Sequence, residues 1–282
     1  MHLSSTGTAI ITRPRGQSAV LRQTLARHHV ETLEFPLLEI APAKDDAPLA
    51  RALAMLEQYA LVIFSSPNAV HYALAHLPHG NWPRQVPIGV VGPGSARALA
   101  SLGIAQPDYR VIAPSVQDRA QGAQYTEAYG SEALADALDQ RLGLASLARR
   151  RALILRADRG REWLAKVLDA HHARVDTVAA YQCIPAIPAA SQWTRIRALI
   201  AGCPHTWLLT SSAGVRHLSA LARTQLSARD QRRLTEAPIV APHARIAHAA
   251  RAAGFARMMQ SGLSDESITH ALLASIRSFS RT

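Results

Sequence analysis

The sequence predicts an α/β protein made of two similar, doubly wound parallel-sheet domains. Short apolar, β-branched runs alternate with stretches of helical periodicity, which is the pattern of parallel sheets covered on both faces. The whole pattern occurs twice, with its two copies about 145 residues apart. The chain of 282 residues also approaches twice the common domain length of about 150 residues.

The first repeated segment consists of a strand, a turn and a helix. Its strand and turn at 10–16 (IITRPRG) return at 153–160 (LILRADRG). Apolar residues at helical spacing then predict an amphipathic helix in each copy. The predicted apolar faces are Val20, Leu21, Thr24 and Leu25 in the first helix, and Trp163, Leu164, Val167 and Leu168 in the second.

The second and third repeated segments have the same order of strand, turn and helix. Residues 61–70 (LVIFSSPNAV) return at 207–215 (WLLTSSAGV), and residues 87–103 return at 238–254. A Gly, Pro or Ser turn separates each apolar run from the helical stretch that follows it. The segments 114–130 and 142–151 have no strong pattern, and we expect loops there.

The net charge of +11 does not by itself indicate nucleic-acid binding. Only Lys44 and Lys166 are lysines, so the other 29 of the 31 basic residues are arginines, and they are scattered along the chain. Nucleic-acid interfaces need clustered cations, with aromatic side chains where the strand is single, and aromatic residues are only 5% here. A small polyanion bound by a few arginines fits the charge better, so we expect no nucleic-acid partner.

Several other classes of protein lack their motifs here. The two cysteines cannot form a disulfide framework, and P-loop, dinucleotide-binding and nucleophile-elbow motifs are missing. The histidine pairs at 28–29 and 171–172 lack metal-ligand spacing, so we predict that they bind no metal. No apolar run approaches the roughly 18 residues of a membrane span, and residues 1–7 do not resemble a signal peptide. These observations predict a cytoplasmic protein without membrane contact.

Polar turns follow several of the predicted strands. In open parallel sheets, ligands bind beyond the carboxyl ends of the strands. Such turns present free backbone N–H groups and the positive end of a helix dipole, which suit carboxylates or phosphates. Ser and Thr also cap helices where no ligand binds, so the turns alone leave both interpretations open. The turns are 13–16, 65–66, 92–95 and 210–211.

Six short segments occur in a characteristic order along the chain. They are 12–14 (TRP), 35–40 (FPLLEI), 64–70 (FSSPNAV), 91–96 (VGPGSA), 155–161 continuing to Tyr181, and 209–212 (LTSS). Their order and spacing resemble those of the uroporphyrinogen-III synthase family over nearly the whole chain. The last turn of that family often carries a Thr or Ser, and here it is 241–245 (APHAR), with His243 as the polar residue.

The resemblance implies that the chain enters one domain, completes the other, and returns. Residues 1–36 and 186–282 would then form domain 1, and residues 40–180 would form domain 2. The linkers 37–39 and 181–185 would make an extended hinge of two segments, with the active site in the cleft between the domains. The repeat alone would place a boundary near residue 145.

The same resemblance implies the reaction and its site. The substrate would be hydroxymethylbilane, a linear tetrapyrrole with eight carboxylates, closed to uroporphyrinogen III with loss of water and inversion of the last ring. No metal or other cofactor would be needed, and we expect a monomer with a transient contact to hydroxymethylbilane synthase. Tyr181 would be the catalytic proton donor, although an aromatic residue packed on a domain face is the alternative interpretation. The predicted substrate-binding residues are Arg13, Ser65, Ser66, Asn68, Gly92, Ser95, Gly160, Arg161, Thr210, Ser211 and His243.

Two functions from other classes compete with this one. A two-domain sensor or regulatory module could bind an anion without catalysis, and a nucleotide-sugar-type transferase also uses two facing α/β domains. An assay with hydroxymethylbilane separates the three hypotheses.

Overall fold

The computed structural model describes residues 7–77, 82–114 and 129–279. Short helices of the 3₁₀ type lie at Leu56–Gln58 and Leu144–Leu147. In chain order, the strands and α-helices are β1 (Thr8–Ile11), α1 (Ala19–Arg27), β2 (Glu31–Glu34), β3 (Leu38–Pro42), α2 (Ala47–Ala54), β4 (Tyr59–Phe64), α3 (Pro67–Ala75), β5 (Ile88–Val90), α4 (Pro93–Ser101), β6 (Val111–Ile112), α5 (Ser131–Leu142), β7 (Arg151–Ala157), α6 (Trp163–Ala170), β8 (Arg174–Pro185), α7 (Ala190–Ile200), β9 (His205–Leu208), α8 (Ser212–Gln225), α9 (Ala228–Glu236), β10 (Ile239–Ala241), α10 (Ala244–Ala252), β11 (Met258–Gln260) and α11 (Asp265–Phe279).

The chain divides into two compact units. Unit 1 comprises Met1–Glu39 and Ile184–Thr282, and unit 2 comprises Ile40–Cys183. The α/β class and the parallel sheets predicted from the sequence are confirmed. Of the predicted loop at 114–130, residues 115–128 lie outside the described residues.

Unit 1 is a five-stranded parallel sheet with helices on both faces. The strand order is β11-β10-β9-β1-β2. Side chains alternate across each strand, so Ile10 and its neighbour Trp207 pack with helices α7, α8 and α10, whereas Ala9 and Ile11 pack with α1 and α11. Both faces of the sheet are therefore covered, as a doubly wound fold requires.

Unit 2 is built in the same way around a six-stranded sheet of order β3-β8-β7-β4-β5-β6. The five strands from β8 to β6 are parallel. Phe64 and Leu155 pack with helices α2, α3 and α4, and Ile63 and Ile154 pack with α5 and α6. The edge strand β3 and the end of β8 contain most of the two predicted linker segments.

Each of the two sequence repeats contributes strands to both sheets. The β1-α1-β2 segment lies in unit 1, whereas its copy β7-α6-β8 lies mainly in unit 2. The β4-α3 and β5-α4 segments lie in unit 2, and their copies β9-α8 and β10-α10 lie in unit 1. Each unit therefore combines a β-α-β segment from one repeat with the remaining strands of the other.

Three details of the structure differ from the sequence prediction. Val20 was placed on the buried face of α1, but it is 65% exposed, because Leu21 and Leu25 alone pack against the sheet. Trp163 is likewise partly exposed on α6, where Leu164 and Leu168 are the buried residues. The predicted loop at 142–151 contains a 3₁₀ turn, since Leu144 and Leu147 are buried in the core of unit 2.

No helix within the described ranges is long and apolar enough to cross a lipid bilayer.

Candidate functional site

Each sheet has one position at which the strand order reverses. The reversal lies between β1 and β9 in unit 1, and between β7 and β4 in unit 2. Ligands of open α/β sheets bind beyond the carboxyl ends of the strands at such switch points. The turns 12–16 and 209–211 follow the two strands in unit 1, and the turns 158–162 and 65–66 follow those in unit 2. Most of the residues predicted from the sequence therefore lie at these two positions.

Ser66 and Tyr181 form a hydroxyl pair at the switch point of unit 2. Ser66 is the N-cap of helix α3, where its Oγ accepts a hydrogen bond from the backbone N–H of Ala69 at 3.1 Å. The same Oγ lies 2.9 Å from the phenol oxygen of Tyr181 on β8. Asn68 also hydrogen-bonds the phenol. The structure thus brings three of the predicted site residues together.

Tyr181 is buried and is fixed by its neighbours. Its side chain is 6% exposed and belongs to the core of unit 2, with its ring stacked on that of Tyr72 at a centroid distance of 5.8 Å. Burial raises the pKa of the phenol, while the hydrogen bonds from Ser66 and Asn68 act in the opposite direction. The phenol is therefore protonated at neutral pH and can donate a proton. The alternative interpretation, an aromatic residue that packs on a domain, agrees with the buried ring of Tyr181. Such packing is compatible with proton donation by the phenol.

The other predicted residues of the 65–66 and 92–95 turns differ in their accessibility. Ser65 is partly buried, and its backbone N–H is bonded to the carbonyl of Leu155 at 3.0 Å. Gly92 is the N-cap of α4 and has an extended backbone. Ser95 is only 1% exposed, so its side chain is withdrawn from solvent.

Helix caps dominate the polar turns of unit 1. Ser211 caps α8, with its Oγ accepting from the N–H of Gly214 at 2.9 Å. His243 caps α10 through Nδ1, which accepts from the N–H of Arg245 at 3.0 Å. The imidazole thus caps the helix in the turn where the resemblance had led us to expect a Thr or Ser. Thr210 precedes the Ser211 cap and is partly buried.

The β1 and β9 turns are joined by hydrogen bonds. Thr12 Oγ1 donates to the carbonyl of Leu208 at 2.6 Å, and the Thr12 backbone N–H donates to the same carbonyl at 3.3 Å. The turns that carry Arg13 and Thr210 are therefore held side by side within unit 1.

The two arginines predicted to bind carboxylates already have carboxylate partners. Arg13 Nη2 lies 2.7 Å from Asp265 in the first turn of α11, and its side chain is 16% exposed. Arg161 forms a bidentate pair with Glu132 in the first turn of α5. Both charges are compensated within their own units, so neither guanidinium is a ready anion site in this structure.

Arg156 was not selected by the sequence analysis. It lies near the carboxyl end of β7, and its Nη1 atom is buried without a hydrogen-bond partner. A Cβ on Gly160 would lie 3.2 Å from that nitrogen, so the glycine leaves room for the guanidinium. The repeat contained a signal for this residue, because IITR at 10–13 aligns with LILR at 153–156 and pairs Arg13 with Arg156.

Within residues 7–77, 82–114 and 129–279, no group of three or more His, Cys, Asp or Glu side chains could hold a metal ion.

Comparisons with known proteins identify a family and a fold. A family model described as uroporphyrinogen-III synthase HemD matches residues 19–269. The uroporphyrinogen-III synthase of Escherichia coli (strain K12) is 29% identical over 175 residues, and that of Salmonella typhimurium (strain LT2) is 30% identical over 175 residues. Each match covers 61% of this chain and 63% of the relative, so the chain aligns with less than two thirds of either protein.

Two solved structures share the fold. A mutant uroporphyrinogen III synthase from the extremely thermophilic bacterium Thermus thermophilus superimposes with a TM-score of 0.56 and 14% identity, covering 96% of this chain and 99% of that one. The uroporphyrinogen-III synthetase of Helicobacter pylori 26695 gives a TM-score of 0.57 and 14% identity, covering 95% and 99%. At this identity, the likeness shows the fold alone.

Proposed function

The chain belongs to the uroporphyrinogen-III synthase family, and from this premise we propose that it closes hydroxymethylbilane to uroporphyrinogen III. The reaction removes the terminal hydroxyl as water, inverts the last pyrrole ring and joins it to the first. The observation that carries the proposal at the level of chemistry is the hydrogen-bonded pair of Ser66 and Tyr181 at the switch point of unit 2.

Tyr181 is proposed to assist departure of the hydroxyl by donating its phenolic proton. Burial keeps the phenol protonated, since the pKa is raised. Ser66 Oγ accepts from the N–H of Ala69 and can direct its own hydrogen to the phenol oxygen. In that arrangement the Tyr181 proton is free to reach a substrate oxygen, and the Ser66 hydrogen bond stabilises the charge that develops on the phenol as the proton leaves.

The capped turns are proposed to bind the carboxylates of the substrate. The amino ends of helices α3, α8 and α10 carry a positive partial charge that favours anions. Their caps at Ser66, Ser211 and His243 order the backbone of each turn. A net charge of +11 adds a long-range attraction for a substrate with eight carboxylates.

Orientation is proposed to decide which isomer forms. Hydroxymethylbilane closes spontaneously in water without inversion, giving the type I isomer. Formation of the type III isomer requires that the substituted carbon of the last ring attacks first, through a spiro intermediate. Fixing two reacting groups relative to one another is worth up to about 7–11 kcal/mol, which is ample to favour one carbon over its neighbour.

We further propose that the protein acts in the cytoplasm as a monomer and receives its substrate by transient contact with hydroxymethylbilane synthase. The family match supports a role in tetrapyrrole biosynthesis, where an unstable bilane must be passed on quickly.

The identity of the product tests the function. Purified protein, with neither metal nor nucleotide added, is incubated with enzymatically generated hydroxymethylbilane, and the products are oxidised and separated by chromatography. We expect mainly the type III isomer, and the type I isomer in the control without protein. Type I product alone in the presence of folded protein would contradict the proposal and favour an anion-binding module.

A further inference from the structure

We propose that Arg156 binds a carboxylate of the substrate at the carboxyl end of β7. This inference rests on the proposed function, because that function supplies a polycarboxylate ligand. Its basis is a guanidinium whose Nη1 is buried without a hydrogen-bond partner, whereas Arg13 and Arg161 in the corresponding turns are paired with carboxylates.

A buried cationic nitrogen without a partner is unfavourable. Burying a polar group costs free energy unless it is hydrogen-bonded, and the cost is larger for a charged group. Arg156 forms no ion pair and no side-chain hydrogen bond within the described residues. A ligand anion would supply the missing acceptor, and a carboxylate matches the two parallel N–H groups of a guanidinium.

The equivalent position in unit 1 shows what is missing in unit 2. Arg13 continues the face of β1 that packs on α11, and it pairs with Asp265, the first residue of that helix. Arg156 continues the face of Ile154, which packs on α5. The first residue of α5 is Ser131, which has no carboxylate. Unit 2 therefore has the repeated arginine, Arg156, but has no carboxylate at the position equivalent to Asp265.

The acid in the first turn of α5 is engaged elsewhere. Glu132 forms its bidentate pair with Arg161. That pair neutralises Arg161, which the sequence had favoured as a carboxylate-binding residue, and leaves Arg156 uncompensated. The Glu132 carboxylate thus compensates Arg161, the later arginine of this turn, and not Arg156.

The turn after β7 is shaped around the Arg156 side chain. Gly160 approaches so closely that a Cβ would lie 3.2 Å from Nη1 and 3.7 Å from Cδ. The turn is also tied to β8, since the Asp158 N–H donates to the carbonyl of Tyr181 at 2.9 Å and an Asp158 oxygen accepts from the Cys183 N–H at 3.2 Å. These bonds fix the Arg156 turn relative to the strand that carries the proposed proton donor.

Arg156→Gln tests the inference against a control in the same turn. The Arg159 side chain is 93% exposed and its Nε lies 3.9 Å from Asp158, so Arg159→Gln removes the same charge without affecting the buried Nη1 of Arg156. We expect Arg156→Gln to raise the KM for hydroxymethylbilane about tenfold, with a smaller change in kcat. Its melting temperature should be unchanged or higher, because the variant removes an uncompensated charge. Arg159→Gln should leave KM within about twofold of the original value.

A second variant and a binding probe keep the test independent of folding and turnover. Gly160→Ala retains the charge but crowds Nη1, and it should also raise KM. Uroporphyrin III, which keeps all eight carboxylates, should raise the melting temperature of the original protein, and this increase should shrink in Arg156→Gln but not in Arg159→Gln.

The outcomes separate the two proposals. If the original protein forms no type III isomer, the proposed function fails whatever Arg156 does. If it forms the type III isomer but KM and the uroporphyrin shift are the same in Arg156→Gln as in the original protein, the Arg156 inference fails alone. A lower melting temperature of Arg156→Gln with an unchanged KM would assign the residue to structure and also overturn the inference.

Discussion

The phenol of Tyr181 combines a core environment with a position at the sheet edge where ligands bind. It packs among the apolar residues of unit 2, yet its oxygen meets Ser66 and Asn68 at the start of α3. Replacement of the whole ring would therefore disturb packing, and only removal of the oxygen isolates the chemistry.

Tyr181→Phe should lower kcat by about 100-fold, at the lower end of the range for general acid catalysis. The ring remains, so we expect a change in melting temperature of no more than a few degrees. Steady-state rates and thermal unfolding measured on the same preparation test both parts. Tyr72→Phe is the matched control, because Tyr72 stacks on the same ring and its hydroxyl makes only a 3.5 Å contact with the carbonyl of Ile40. Equal rates in the two variants would remove Tyr181 from the mechanism.

At the residue scale, sequence reasoning found the local features and missed the long-range ones. Ser66 and Ser211 were found because a cap is encoded within four residues of chain. The pairing of Arg13 with Asp265 spans 252 residues, so no local pattern could show that the Arg13 charge is already compensated. Arg156 was missed for the same reason. It differs from Arg13 in having no carboxylate partner, and the sequence near Arg156 does not show whether a distant residue pairs with it.

At the scale of elements, the helix caps carry both stability and the proposed anion sites. Ser211→Ala removes the bond to the Gly214 N–H and should lower the free energy of unfolding by about 1 kcal/mol. It should also raise the KM for hydroxymethylbilane, because the turn that presents the backbone amides loosens. Denaturant unfolding and steady-state kinetics measure the two effects.

Ser227→Ala is the control for that experiment. Ser227 caps α9 by the same type of bond, accepting from the Asp230 N–H at 3.2 Å, but α9 does not follow a strand at a switch point. We expect a similar loss of stability with an unchanged KM. If both variants raise KM equally, the effect is one of general stability, and Ser211 has no special part in binding.

A second polar cluster joins three strands of unit 2 at their amino ends. The Tyr59 hydroxyl donates to Asp176 at 2.9 Å, Arg151 Nη2 pairs with the same carboxylate at 2.7 Å, and the Arg151 guanidinium lies 4.6 Å from the centre of the Tyr59 ring. Burial, followed by the Asp176 hydrogen bond, raises the pKa of Tyr59 to about 12. The cluster thus favours the neutral phenol in the folded state.

The raised pKa of Tyr59 predicts a loss of stability at high pH. The unfolded phenol ionises near pH 10, whereas the folded phenol keeps its proton to about pH 12. The stabilising contribution is therefore complete below pH 10 and is lost as the pH rises from 10 through 12. Urea unfolding across this range should show a smaller decline for Tyr59→Phe than for the original protein. Parallel curves for the two proteins would contradict the assignment.

The type and order of the elements were predictable because strong apolar periodicity encodes them locally. Val20 and Trp163 were misplaced because apolar residues adjoining the buried stripe look the same in sequence whether or not the sheet reaches them. The 3₁₀ turn at Leu144–Leu147 was not predicted, because two buried leucines at a spacing of three residues form a pattern too short to indicate a helix.

At the scale of the whole molecule, the repeat identified the fold class, but not by itself the division of the chain. The duplicated halves of the sequence meet near residue 145, whereas the compact units exchange their β-α-β segments across that point. The sheet to which a strand belongs depends on the strands with which it pairs. The sequence of one repeat does not show which strands far away in the chain will pair with its own.

This exchange predicts how fragments behave. A fragment of Ile40–Cys183 contains all six strands of the unit 2 sheet in one continuous segment, with only the first two residues of β3 and the last two of β8 removed, and it should fold cooperatively. A fragment of residues 1–145 has nearly the same length and contains one full repeat, but it separates β1 and β2 from β9 and should not form the unit 1 sheet. Thermal unfolding followed by circular dichroism distinguishes them. A cooperative transition in the second fragment and none in the first would contradict the division into these units.

The order in which the ribosome releases these segments follows from the same exchange. Strands β1 and β2 emerge first, but β9, the other neighbour of β1, starts 171 positions after β2 ends, at His205 compared with Glu34. At about 5–20 residues per second, that delay is roughly 10 to 30 s. Throughout that interval β1, whose four residues are all buried in the finished protein, has an unpaired edge. An unpaired strand edge can pair with another chain, so we expect β1 to be the strand of unit 1 most prone to aggregation while unit 2 is being completed.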